Sequence, residues 1–142
     1  MFYPVSFFIV LVPKLLVCVA FGIRSFYLRV HASNIAIGNG SLYTNKSTTN
    51  NISIGTNALV LHKSGNLNIV IGNNAAYYDT TGTANTIVGH SAMLNNKYGV
   101  FNAVFGYETM GNNNGGYSNN AFGSRSLLNN FDGFENTATG AA

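Results

Sequence analysis

Residues 68–84, NIVIGNNAAYYDTTGTA, followed at once by residues 85–101, NTIVGHSAMLNNKYGVF, decide how this chain folds. Laid one beneath the other, Asn68 falls on Asn85, Gly72 on Gly89, Ala75 on Ala92 and Gly82 on Gly99. The same 17-residue step runs outward in both directions without an insertion. It places Asn34, Asn51, Asn68, Asn85, Asn102, Asn119 and Asn136 in one column. Four residues later it places Gly38, Gly55, Gly72, Gly89, Gly106, Gly123 and Gly140 in another. A further glycine column holds Gly65, Gly82, Gly99, Gly116 and Gly133. Self-similarity at so short a period signals stacked coils.

Counting the asparagine as column one, column three reads Ala36, Ser53, Val70, Ile87, Val104, Ala121, Ala138. Column four reads Ile37, Ile54, Ile71, Val88, Phe105, Phe122, with Thr139 at the end. Columns eight and nine pair a small residue with Leu, Met or Ala, and column twelve is polar: Asn45, His62, Asp79, Asn96, Asn113, Asn130. Short apolar segments bounded by Asn and Gly read as strands. Glycine costs a helix about 1 kcal/mol relative to alanine, and helical repeats need longer units. The pattern predicts an all-β, parallel β-roll or β-solenoid with two short strands per coil. An asparagine column one coil apart, about 4.8 Å, predicts a ladder of amides. Glycine supplies corners that other residues resist.

Neighbouring strand residues face opposite sides. Columns three and four are both mostly apolar, so one lines the interior and the other needs cover from outside. Ile37, Ile54, Ile71, Val88, Phe105 and Phe122 are therefore expected to form a self-association stripe.

The chain has 142 residues, of which only 8% are charged against 46% hydrophobic. The net charge of +3 draws on seven basic residues, three of them (Lys14, Arg24, Arg29) before the repeats. No dense basic face of the kind that binds nucleic acid follows from that distribution. The one cysteine, Cys18, excludes an intrachain disulfide. Residues 1–32 are expected to be an apolar leader, and residues 33–142 the repeat domain, cut off at its C-terminus inside a repeat. Residues 5–23, VSFFIVLVPKLLVCVAFGI, would span about 28 Å as a helix. Three readings stay open: an export signal with Val30-His31-Ala32 or Cys18-Val19-Ala20 before the cut, an uncleaved membrane anchor, or a non-native start. Membrane contact, if any, runs through this leader alone.

Chemistry is sparse. The carboxylates Asp79, Glu108, Asp132 and Glu135 occupy four different columns, which suits solvated loop residues better than paired acid–base work. His31, His62 and His90 lack metal-ligand spacing. No catalytic residue, cofactor or metal is expected. Lys46, Lys63 and Lys97 share column thirteen and form a candidate ligand stripe for an anionic glycan or matrix protein, although edge lysines also simply deter unwanted strand pairing. The tripeptides beginning at Asn39, Asn45 and Asn51 match glycosylation acceptors, as chance provides in an Asn-rich repeat.

The segments SNIAIGNGSL, NISIGTNAL, NIVIGNNAA, NTIVGHSAM and NAVFGYETM resemble the head repeats of YadA-like trimeric autotransporter adhesins, and are similar to repeats of phage and viral tail fibres. The shared block falls on Asn34 to Ser41 and recurs down to Asn119–Ser126. The resemblance implies a left-handed parallel roll, a homotrimer, attachment to a matrix protein or glycan, and a place outside the cell or on a cell or virion surface. The 17-residue period exceeds that of the YadA head itself, and neither a coiled-coil stalk nor a membrane barrel follows in this sequence. The alternative is a structural spacer of such a fibre, with no ligand of its own.

Overall fold

The computed structural model describes residues 7–10, 18–22 and 33–141. Within these the chain is all-β. Seven three-residue strands recur at the sequence period: β3 (Ile35–Ile37), β4 (Ile52–Ile54), β5 (Ile69–Ile71), β6 (Thr86–Val88), β7 (Ala103–Phe105), β8 (Asn120–Phe122) and β9 (Thr137–Thr139). They pair in parallel, each with the next, and always column on column: Ile35 lies opposite Ile52, Ser53 opposite Val70, Val88 opposite Phe105. About six coils of a β-solenoid result.

The sheet runs on into the segment set apart above as a leader. β1 (Phe7–Val10) pairs antiparallel with β2 (Cys18–Phe21), and β2 pairs in parallel with β3. Ala20 lies opposite Ala36 and Phe21 opposite Ile37, so the residues Val-Ala-Phe-Gly at 19–22 stand where the repeat has Ile-Ala-Ile-Gly. The Gly38 N–H donates to the Phe21 carbonyl at 2.7 Å, and Gly22 has a φ of 139°, close to the 128° of Gly38. A bilayer-spanning helix is not formed by residues 7–10 and 18–21, which are strand; no helix among the described residues is long and apolar enough to cross a membrane. The remaining features of that segment, Pro13, Lys14, Arg24, Arg29 and the Val30-His31-Ala32 site, lie outside the described residues.

Column three points inward and is buried from Ala36 to Ala121. Columns two and four flank it on the outer face, as alternation along a strand requires. The second apolar segment of each coil departs from expectation: it is not a strand. Its column-nine residues Leu42, Leu59, Ala76, Met93, Met110 and Leu127 have φ between 47° and 50°, the left-handed region. That conformation costs an ordinary residue about 1–2 kcal/mol and cannot continue a strand. Two gains hold it in place. All but Leu127 are completely buried, and backbone bonds still climb from coil to coil, with Leu42 N–H on Ala58 O and Leu59 N–H on Ala75 O, each at 3.1 Å. Columns three, eight and nine thus form one narrow core, in which Ala36 and Ser53 share their coils with Leu42 and Leu59, while Val70 shares its coil with Ala76. Ser53, polar in an apolar column, is satisfied by accepting from the Ser41 hydroxyl at 2.8 Å and donating to the Ala58 carbonyl at 2.9 Å.

The corner glycines have a steric cause. Gly72 sits at φ 145°, and a Cβ there would collide with the backbone of Gly89 in the next coil. No side chain fits where two backbones stack so closely.

Candidate functional site

Five features could carry function: two internal polar columns, the outer apolar face, the lysine column and a charged cluster near the C-terminal coils.

Column one is a saturated ladder. Asn68, Asn85, Asn102, Asn119 and Asn136 each donate both the backbone N–H and the side-chain Nδ2 to the Oδ1 of the asparagine 17 residues earlier, at 2.9–3.2 Å. From Asn68 to Asn119 the second Nδ2 hydrogen goes to a column-fifteen carbonyl, as from Asn85 to Gly99 at 2.8 Å. Only a short amide meets this demand: two hydrogens to give and an oxygen accepting twice. Asp lacks the donors. These residues are therefore structural, and Asn51, fully buried in the ladder, is closed to glycosylation in the folded roll, as is Asn45.

Column twelve, polar in sequence, forms a second buried column, closed from Asn45 to Asn113. Asn130 Nδ2 lies 3.5 Å from Asn113 Oδ1, Asn113 Nδ2 donates to Asn96 Oδ1 at 2.8 Å, and Asn96 Nδ2 donates to Asp79 Oδ2 at 2.6 Å. Asp79 then meets His62, with Nδ1 2.9 Å from Oδ1 and side chains 0% and 1% exposed. Asp79 is thus not the solvated loop residue expected. Column fifteen completes the arrangement. The Gly82 and Gly99 N–H groups donate to Asp79 and Asn96, and a Cβ on either glycine would strike the column-twelve side chain. Where Thr48 replaces that glycine, its hydroxyl bonds Asn45 Oδ1 at 2.6 Å, supplying the donor that His62 does not.

On the outer face, Ile37, Ile71 and Phe122 of the expected stripe are 37–41% exposed, and Ile54, Val88 and Phe105 are half-buried. Phe105 and Phe122 stack with centroids 5.1 Å apart. The stripe is wider than the sequence reading had it. Ile35, Ile52 and Ile69 of column two lie on the same face, a consequence of period-two alternation that was legible but unused.

Lys46, Lys63 and Lys97 are all exposed. Thr80 separates Lys63 from Lys97, and Asn114 and Phe131 follow in the column. Lys97 borders an open hollow of about 410 Å³ with Asn95, Asn112, Asn114 and Phe131. Beside it an exposed amide chain runs from Asn95 to Asn112 to Asn129, at 2.9 and 2.8 Å.

The charged cluster joins columns six and seven. The His90 and Tyr107 rings stack at 5.6 Å, the Arg125 guanidinium lies 5.8 Å from the Tyr107 centroid, and Arg125 Nε meets Glu108 Oε2 at 2.8 Å. A hydrogen bond from the Tyr107 side chain, then the Arg125 guanidinium, hold the Glu108 carboxyl below its ordinary range; the same Glu108 contact pushes the Tyr107 phenol up. The cluster is exposed, so this pair adds little to stability. Among the described residues no group of three or more His, Cys, Asp or Glu is placed to hold a metal ion.

No family model, no curated protein and no solved structure matches this chain.

Proposed function

We propose that this chain is a non-enzymatic repeat module of a surface or fibre protein, which associates through its outer sheet face as a homotrimer and mediates attachment. One observation carries the reading: parallel strands in strict register present column four outward, apolar from Ile37 to Phe122, widened by Ile35, Ile52 and Ile69 of column two, with Ile69 and Ile71 both more than a third exposed. A continuous apolar face of this kind marks an interaction surface. Identical copies meeting around a closed axis bury it with the least new sequence. The resemblance to YadA-like head repeats supports a number of three.

The remaining faces suit the exterior of such an assembly. The exposed Lys97, the Phe131 ring and the amides of Asn95 and Asn112 offer a charge, an apolar plate and hydrogen-bonding groups to a glycan or matrix protein. A pure spacer is the second reading, favoured by the saturated asparagine ladder, whose function is complete without a ligand.

Light scattering on the full chain should give a mass near three protomers. Replacing Ile54 and Ile71 by Asp should give monomers or aggregates, and trimers that persist would overturn the assigned interface. Attachment of the wild-type trimer to glycan and matrix-protein arrays should weaken when Lys97 is changed to Ala. A folded trimer that attaches to nothing favours the spacer.

A further inference from the structure

The column-twelve contacts determine where the protons sit. The Gly99 N–H is an unambiguous donor and points at Asn96 Oδ1 at 3.0 Å, which orients the Asn96 amide. Its Nδ2 must then donate to Asp79 Oδ2. The Gly82 N–H, equally unambiguous, donates to Asp79 Oδ1 at 2.8 Å. Two donors on the Asp79 carboxyl favour its charged form, and His62 Nδ1 is then the donor to Oδ1 at 2.9 Å. The other ring nitrogen, Nε2, faces the Gly65 carbonyl at 3.1 Å. A carbonyl can only accept, so Nε2 must also carry a hydrogen. Neutral imidazole has one N–H, and this ring needs two.

We propose that the middle of the roll is a proton-binding site: His62 is held there as the imidazolium against the Asp79 carboxylate, and the stacking of residues 51–67 on residues 68–84 depends on that proton. Loss of the proton leaves a ring lone pair against either the carboxylate or the Gly65 carbonyl, in a site from which water is excluded. Neither alternative can be relieved locally. Asp79 is the one charged side chain bonded to the ring among the described residues. The neighbouring Asn45 is a neutral amide, and among the described residues its Nδ2 is the buried side-chain polar atom left without a partner. Lys46 and Lys63, in the adjacent column, are exposed.

The sign of the pH dependence follows. A cation that gains partners on folding contributes stability that is lost as pH rises, and an anion that gains partners contributes stability that is lost as pH falls. The other members of column twelve are amides and lack any such dependence.

The test uses the full chain labelled with ¹⁵N-histidine. At a pH above the ordinary range of a free imidazole, both ring nitrogens of His62 should still show the signature of N–H, with slow hydrogen exchange. A neutral-tautomer pattern for His62 in the folded chain overturns the proposal. Thermal melts across pH give a second readout. The variant carrying His62→Asn and Asp79→Asn restores the amide found at the other column-twelve positions, and should not show the alkaline fall in Tm of about 4 °C or more expected of wild type. Parallel profiles for the two proteins count against the proposal. If the double variant fails to fold, the nitrogen signature decides alone.

Discussion

Columns one and twelve are two solutions to one problem, that of carrying polar side chains through the interior of a stack. Column one repeats a single residue seven times. Its asparagines are interchangeable, and every amide from Asn68 to Asn119 is saturated in the same way. Column twelve tolerates Asn, His and Asp, and remains buried throughout its first five members. What the stack requires is continuity of donor and acceptor; identity of residue is only the simplest way to supply it. Once a charged residue enters one coil, however, the next coil must answer it. Asp79 is met by the His62 ring, 2.9 Å away, where the other coils place an amide.

The contrast can be broken first at its charged centre. Asp79→Ala leaves His62 Nδ1, the Gly82 N–H and Asn96 Nδ2 without acceptors, and should cost about 3–5 kcal/mol in chemical denaturation, the range for breaking a buried pair from one side. In the uniform column, Asn85→Ala strands the Asn102 N–H and Nδ2 and should cost about 1–3 kcal/mol. A loss as large as that of Asp79→Ala would show that charge adds nothing to the difference. The exposed amide chain provides the control: Asn112→Ala removes bonds of similar length in water's reach and should change stability by no more than about 0.5 kcal/mol. Smallest is Tyr107→Phe, for which no measurable stability change is expected. An NMR titration should instead show the Glu108 carboxyl moving up toward its ordinary range, because the phenol contact is the leading cause of its depression.

Much of this fold was legible from spacing. The 17-residue period determines the register of β3 to β9, the inward turn of column three and the asparagine ladder, because stacking forces identical positions into contact. The second apolar segment was misread as strand because Ala-Leu and Ala-Met pairs carry no mark of a left-handed backbone; burial and the bonds between coils select it. The strand at Cys18–Phe21 was hidden by a spacing of 16 from Ala20 to Ala36, one short of the period, and by Cys18 standing where an asparagine would mark the start. Of the candidate site residues, the outer stripe and the lysines emerged by column. The His62–Asp79 pair could have been found the same way, since the two stand 17 residues apart in a column otherwise made of amides.

Register this strict also bears on how such a chain can change length. Excising or duplicating one whole unit from residue 85 onward joins like to like in the strands and in both buried polar columns. The same operation performed on residues 51–67 alone would part an imidazole from its carboxylate. Losing one of those two adjoining units leaves a buried polar group unanswered, so a change of length there is least costly when both units go together.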